Sequence, residues 1–220
     1  MKVLLAAVLL SLPVIGLAED DEAKDIEKVN GSIEVEADQR VGDVSTVNGS
    51  IRIKDGATVE EAETVNGSVT LGERVVAESV ETVNGTVKLG ADTRVSEGVD
   101  TVNGAVTLAR NVDVQQAVRT VNGDITLEAA RVGGGIRTQE GDIEVGAGSR
   151  VAGGIKVEKN KGFSISLFKS TPKVVIGPGA VVEGPLEFER EVKLYVSETA
   201  TIGEVKGATP VRFSGDEPND

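Results

Sequence analysis

The side chains best suited to moving protons in this chain are carboxylates, and they would have to act without the usual helpers. The 220 residues include 36 Asp and Glu but no histidine and no cysteine. Chemistry at neutral pH would then fall to paired acids, one carboxyl donating a proton while the other acts as base or nucleophile, as in glycoside hydrolysis. Adjacent pairs stand at Asp20-Asp21 and Glu60-Glu61. Both read as solvated surface, because a glycan-cleaving groove also wants aromatic platforms and the repeats described below contain none. Without histidine the chain lacks the commonest general base, nucleophile partner and zinc ligand. Without cysteine it lacks disulfides, thiolate metal sites and a thiol nucleophile. No calcium-binding run of the G-G-x-G-x-D kind occurs. The expectation is no catalytic residue, no cofactor and no metal ligand. A carbohydrate-active enzyme using paired carboxylates is the alternative from another class.

The repeat carries the structural information. Thr46-Val47-Asn48-Gly49-Ser50-Ile51-Arg52-Ile53 is preceded by a Lys-headed copy at Lys28, and the phrase returns from Thr64, Thr82, Thr101 and Thr120. A degenerate seventh copy starts at Thr138. The asparagines at 30, 48, 66, 84, 103 and 122 set periods of 18, 18, 18, 19 and 19 residues. After each glycine, apolar and polar residues alternate, which means a short strand with one buried face. Val69 and Leu71 should face in, Ser68 and Thr70 out.

An N-G pair is a strong hairpin signal, but a hairpin needs a distinct return strand. Here the same strand follows every N-G, so identical strands stack in register, one coil above another. The predicted fold is all-β: a single-chain parallel β-helix of 18–19 residues per coil. The corners Asn30-Gly31, Asn48-Gly49, Asn66-Gly67, Asn84-Gly85, Asn103-Gly104 and Asn122-Gly123 are structural, with glycine expected at φ > 0. The extra residue of the longer copies falls at a corner, before Val99 and Val118, where a solenoid tolerates insertion. Apolar residues at 47, 53, 59, 65, 71, 77, 83, 89 and 95 also follow a six-residue step, as in left-handed coils. Asparagine at every corner favours a rung-to-rung amide stack and a right-handed coil.

The ends have a different character. Lys2, the apolar run from Val3 to Leu17 and the small residues around Ala18 have the layout of a signal peptide over residues 1–18. The mature chain should then begin near Glu19, with no later segment apolar enough to span a membrane, and export would take it to the periplasm, the cell surface or the medium. The net charge of −13 argues against nucleic acid and anionic lipid as partners. Regular coils are expected over 19–157, an irregular loop over 158–173, further coils and a cap over 174–213, and a disordered acidic tail over 214–220. All four Phe residues and Tyr195 fall in this last third, where a solenoid end needs a cap. Phe163, Ile165, Leu167 and Phe168 could instead form an apolar loop that docks a partner. The outward pairs Ser32/Glu34, Ser50/Arg52, Thr86/Lys88 and Asp124/Thr126 vary too much for an ice-binding face.

The T-V-N-G-x-I/V-x-L/V phrase over residues 28 to 157 resembles bacterial exported β-helix repeat proteins of the adhesin type. Val174 to Gly207 resembles bactofilin-type polymer-forming coils. The phrase from Ile176 to Gly184 is similar to hexapeptide-repeat enzymes in its fold-forming glycines only. The first resemblance implies an envelope protein or glycan as partner, and the second implies assembly with copies of itself. Neither supplies a catalytic residue.

Overall fold

The computed structural model describes residues 23–159 and 171–218. It is an all-β solenoid of ten coils, with no helix among the described residues. Three parallel sheets run its length. The first, of ten strands, begins with Ile26–Asn30, Val44–Asn48 and Glu61–Asn66. The second, also of ten, begins with Ile33–Val35, Ile51–Ile53 and Val69–Leu71. The third has seven two-residue strands, from Val76–Ala77 to Thr201–Ile202, and the single bridges Arg40↔Thr58 and Thr58↔Val76 continue it downward.

Each residue of the phrase pairs with its own counterpart one coil away. Thr46, Thr64, Thr82 and Thr101 are mutual neighbours in the first sheet. Val69, Val87, Val106 and Ile125 are neighbours in the second. This is the parallel stack that the repeat predicts. Val69 and Leu71 are buried as expected, and so are their counterparts up the stack. The core is a narrow shaft filled by a few side chains per level: Val80 and Thr82, Val87 and Leu89, Thr93 and Val95 in one coil. Each fully buried Val, Ile or Leu contributes about 1.5–3 kcal/mol, so stability accumulates level by level.

The extra residue of the longer coils sits at the corner between the third and first sheets. Val80 follows Ala77 by three residues, whereas Val99 follows Val95 by four, and both pairs remain in register. The irregular segment expected over 158–173 begins at a different corner. Ile143 follows its neighbour Thr138 by five residues, while in the next coil Val174 follows Val157 by seventeen. The insertion therefore replaces an N-G corner, and the coils beyond it resume without a slip. Phe188 continues the inward column of Val157, and Phe213 is buried in the last coil. These two aromatics thicken the end of the core, as a cap requires.

Two features of the repeat differ from its sequence pattern. First, the six-residue apolar step does not mark the core throughout: Val47, Val83 and Val102 are each 38% exposed. The threonine before each is buried instead. Strand alternation places Val44 and Thr46 on one side, so Val47 must point away, and the six-residue step fails at 47, 65 and 83. Each buried threonine donates its hydroxyl to the glycine carbonyl one coil down: Thr64 to Gly49 at 2.8 Å and Thr82 to Gly67 at 2.9 Å. Thr46, Thr101 and Thr120 repeat the contact. Second, Gly49, Gly67, Gly85, Gly104 and Gly123 do not have positive φ; among the six predicted corners only Gly31 does, at 104°. They are glycine for another reason. A Cβ on any of these five would overlap the carbonyl oxygen of the glycine beneath it. The left-handed position lies at the next corner, shortly after each of the first eight strands of the second sheet, where Asp38, Gly56, Arg74, Asp92, Asn111, Ala129, Gly148 and Gly179 all have φ between 50° and 72°.

The two corners make opposite demands, and substitution separates them. Gly85→Ala should lower stability by more than about 1 kcal/mol through overpacking against Gly67. Ala129→Gly, which relieves a left-handed non-glycine residue, should raise it by a few tenths to about 1 kcal/mol. Denaturant unfolding of both variants checks this, and a Gly85→Ala chain as stable as the parent would contradict the corner assignment.

Candidate functional site

The interior is closed, so whatever the molecule binds must meet a corner, a lateral face or an end. The N-G corner carries an amide ladder. The Nδ2 of each asparagine donates to the Oδ1 of the asparagine one coil below, from Asn48 to Asn30 at 3.1 Å up to Asn122 to Asn103 at 2.8 Å. Beside it the backbone N–H groups of Ser50 and Ser68 donate to the hydroxyls of Ser32 and Ser50, each at 3.2 Å. This is the stack that the repeated asparagine predicts, and it ends where Glu140 takes the asparagine position. The corner residues singled out in the sequence are thus brought into one line. That line spends its polar groups on itself, which is a structural role.

The outer face of the first sheet is different. Two columns run up it side by side. One is the exposed valine column, Val29, Val47, Val83 and Val102, with Val65 and Val121 half-buried. The other is formed by the residue before each threonine. In register from the bottom it reads Glu27, Ser45, Glu63, Glu81, Asp100, Arg119, Arg137, Lys156, Glu187 and Lys206. Acids occupy the lower half and three bases follow in succession.

Strand spacing places these like charges about 4.8 Å apart, and their protonation responds. Burial pushes the Glu63 carboxyl above its ordinary range, with Asp43 adding to it. Burial does the same to Glu81, reinforced by Asp100, Glu63, Glu61 and Glu97. Asp100 is also raised by burial, against the opposing pull of Arg119, whose guanidinium lies 3.3 Å away. Glu61 of the sequence-predicted acid pair belongs to this cluster, raised by burial and by four neighbouring carboxylates. Glu60 is exposed at the corner before it, and Asp20-Asp21 lies outside the described residues.

A groove of about 440 Å³ lies on the outer face of the second sheet, lined by Asp142, Glu144, Lys173, Val175 and, from the acidic tail, Asp216 and Glu217. The Lys173 ammonium stands 5.3 Å from the centre of the Tyr195 ring. On the third sheet, Asp113 lies between Arg94 and Arg131, at 3.9 and 3.8 Å. Among the described residues no three acidic side chains converge as a metal cage. Phe163, Ile165, Leu167 and Phe168 lie outside the described residues, so the docking loop has no structural account here.

The charged column is the feature that reading the sequence missed. Its signal was present: aligning the copies on T-V-N-G puts Ser45, Glu63, Glu81, Asp100 and Arg119 immediately before the threonine.

The class of protein defined by this geometry is a ten-coil parallel β-solenoid with a saturated polar corner and a charged lateral face. Comparison with known proteins finds no matching family, no similar curated protein and no similar solved structure.

The acidic half of the column gives a pH test whose sign follows from the raised pKa values. Desolvation and repulsion cost nothing while the carboxyls are protonated and reach their full cost above the folded-state pKa. Stability should therefore fall as pH rises through the region just above the ordinary Glu range. In the dilute single chain Glu81→Gln should raise Tm at pH 7, and the gain should vanish near pH about 4, where glutamate itself is largely protonated. An unchanged or lowered Tm at pH 7 would show that the column carries no repulsive load.

Proposed function

We propose that the protein is a non-enzymatic, exported, adhesin-like structural β-solenoid of the bacterial envelope. It acts by presenting a long, repetitive lateral surface to an envelope protein or glycan, or to a second copy of itself. The observation that carries this reading is the strict register of the outward columns. Ten coils hold one charged or polar position of the first sheet in a single line, a geometry suited to a repetitive or elongated partner. The export-type N-terminal sequence supports the compartment. The resemblance of the repeat to exported adhesin-type proteins supports the role, and the absence of histidine and cysteine from the chain supports a non-catalytic one.

End-to-end assembly, as in bactofilin-type filaments, is the second reading. The last coil favours it: Val205–Lys206 and Val211–Phe213 are edge strands of their sheets. Unpaired parallel edges are templates for another chain.

Capture from fractionated envelopes on the immobilised chain tests the main reading, which expects specific retention of a glycan or an envelope protein. No retention of any envelope component would count against it. Turnover of an envelope polysaccharide that a single Asp or Glu substitution abolishes would replace it with an enzymatic one.

A further inference from the structure

The order of charges on the first sheet's outer column has a property that solubility alone does not require. From the bottom rung to the top it runs acid, Ser45, acid, acid, acid, base, base, base, acid, base. Read against its own reverse, Asp100 meets Arg119, Glu81 meets Arg137, Glu63 meets Lys156 and Glu27 meets Lys206. Ser45 meets Glu187. Four rung pairs are attractive and none is repulsive. The other two sheets lack this property. On the third, reversal sets Arg94 against Arg131 and Asp113 against itself. On the second, Lys88 with Glu144 is the only charged match, the rest being Thr with Thr or a polar residue against Val175, Tyr195 or Val211.

We infer that the outer face of the first sheet is a dimer interface on which two copies of this chain pack side by side with their solenoid axes antiparallel. This rests on the reading of the lateral surface as the working surface and names its partner. The two-fold axis lies along the strand direction, between the fifth and sixth rungs. That operation keeps each column over its own counterpart while reversing the rung order, which is what an isologous interface requires. Near the axis, Val102 of one copy falls over Val121 of the second, giving a small apolar centre flanked by the charge pairs. The face is about 45 Å long and, averaged over its ten strands, about 14 Å wide at normal strand geometry. That offers about 600 Å² per partner, the lower end of the range for a specific interface.

The monomer also shows why pairing would be favourable. Arg119 pairs with Asp100, Lys156 with Glu189 and Lys206 with Glu187 and Glu204 inside one chain, whereas Glu63, Glu81 and Arg137 make no ion pair among the described residues. Glu81 and Arg137 sit three rungs apart in one chain, beyond contact, and a reversed second copy brings them together. Burial is the first cause of the raised proton affinity of both groups, with Asp43 adding to it at Glu63 and Asp100, Glu63, Glu61 and Glu97 adding to it at Glu81.

Sedimentation velocity of the purified chain across a concentration series, at about 20 mM and about 500 mM salt, reads the interface, because screening weakens it at the higher value. A dimer at low salt that dissociates at high salt is expected. Glu81→Arg and Arg137→Glu, each alone, place like charges opposite one another twice per dimer and should weaken association about tenfold or more. The combined E81R/R137E chain restores both pairs and should recover parental association, which separates an interface effect from a folding defect. As the chain has no cysteine, E81C/R137C offers a geometric check. The two thiols are three rungs, about 14 Å, apart within one chain, whereas facing sheets stand about 10 Å apart, so a short bis-maleimide, rather than a direct disulfide, should link them into a covalent dimer. A parental chain that stays monomeric at every concentration would overturn the inference. So would association indifferent to the single reversals, or a double variant no better than either single one. A monomer that still retains envelope components would refute the dimer alone and leave the broader function standing.

Discussion

Everything in this molecule depends on how closely one corner can approach the next. In the N-G corners the carbonyl oxygen of each glycine occupies the space where the Cβ of the glycine above it would be. That approach lets the buried threonine of the coil above reach the same carbonyl with its hydroxyl. It also brings the asparagine amides of successive coils within 3.1 Å or less. Glycine, threonine and asparagine are thus three parts of one contact. The buried carbonyl is satisfied, which matters because an unsatisfied one in this shaft would cost about 1–3 kcal/mol. Where the glycine corner gives way to the insertion after Val157, the threonine column ends too, and Val157 and Phe188 take its place.

With register fixed from inside, the outward residues are released from the fold. Position by position they face solvent in straight columns, so a change at one rung alters one point on a line and leaves the stack intact. The first sheet's outer column uses that freedom to separate acids from bases along the long axis. Carboxylates held at strand spacing repel, and the cost is retained in the monomer. A face that stores repulsion in one half and offers complementary charge in the other is arranged for a partner as long as itself.

The fold was legible in the sequence because its period is unbroken and its strands alternate. Parity after the glycine identified Val69 and Leu71 as inward and placed the extra residues at corners. What was less legible concerned the first sheet and the glycines. Val47 looks like core because it is apolar and falls on a six-residue step, yet its strand continues from Val44 and Thr46, whose parity turns it outward. A buried threonine is invisible to a hydrophobic pattern unless its hydroxyl partner is known. The N-G glycines look like φ > 0 positions, and the real constraint, a neighbouring carbonyl, exists only once coils are stacked. The left-handed corner was hidden by its variety, since Asp38, Arg74, Asn111 and Ala129 share a conformation but no residue type. The charged column needed an alignment of the copies and then a reading of that column as a whole, which no single repeat reveals.

The most direct test of the account is whether distance along the molecule counts in rungs. The chain has no cysteine, so pairs of cysteines in the second sheet's outward column can carry spin labels without background, away from the charged face. Glu34 and Thr126 lie five rungs apart in that column, and Glu34 and Glu144 lie six apart. Stacking at about 4.8 Å per coil puts their backbones about 24 and about 29 Å apart. Pulsed dipolar measurements on the two doubly labelled chains should give distances near these, with the second longer by about one rung. Equal distances, or a Glu34–Glu144 distance shorter than the Glu34–Thr126 one, would contradict a register set coil by coil through the glycine corners.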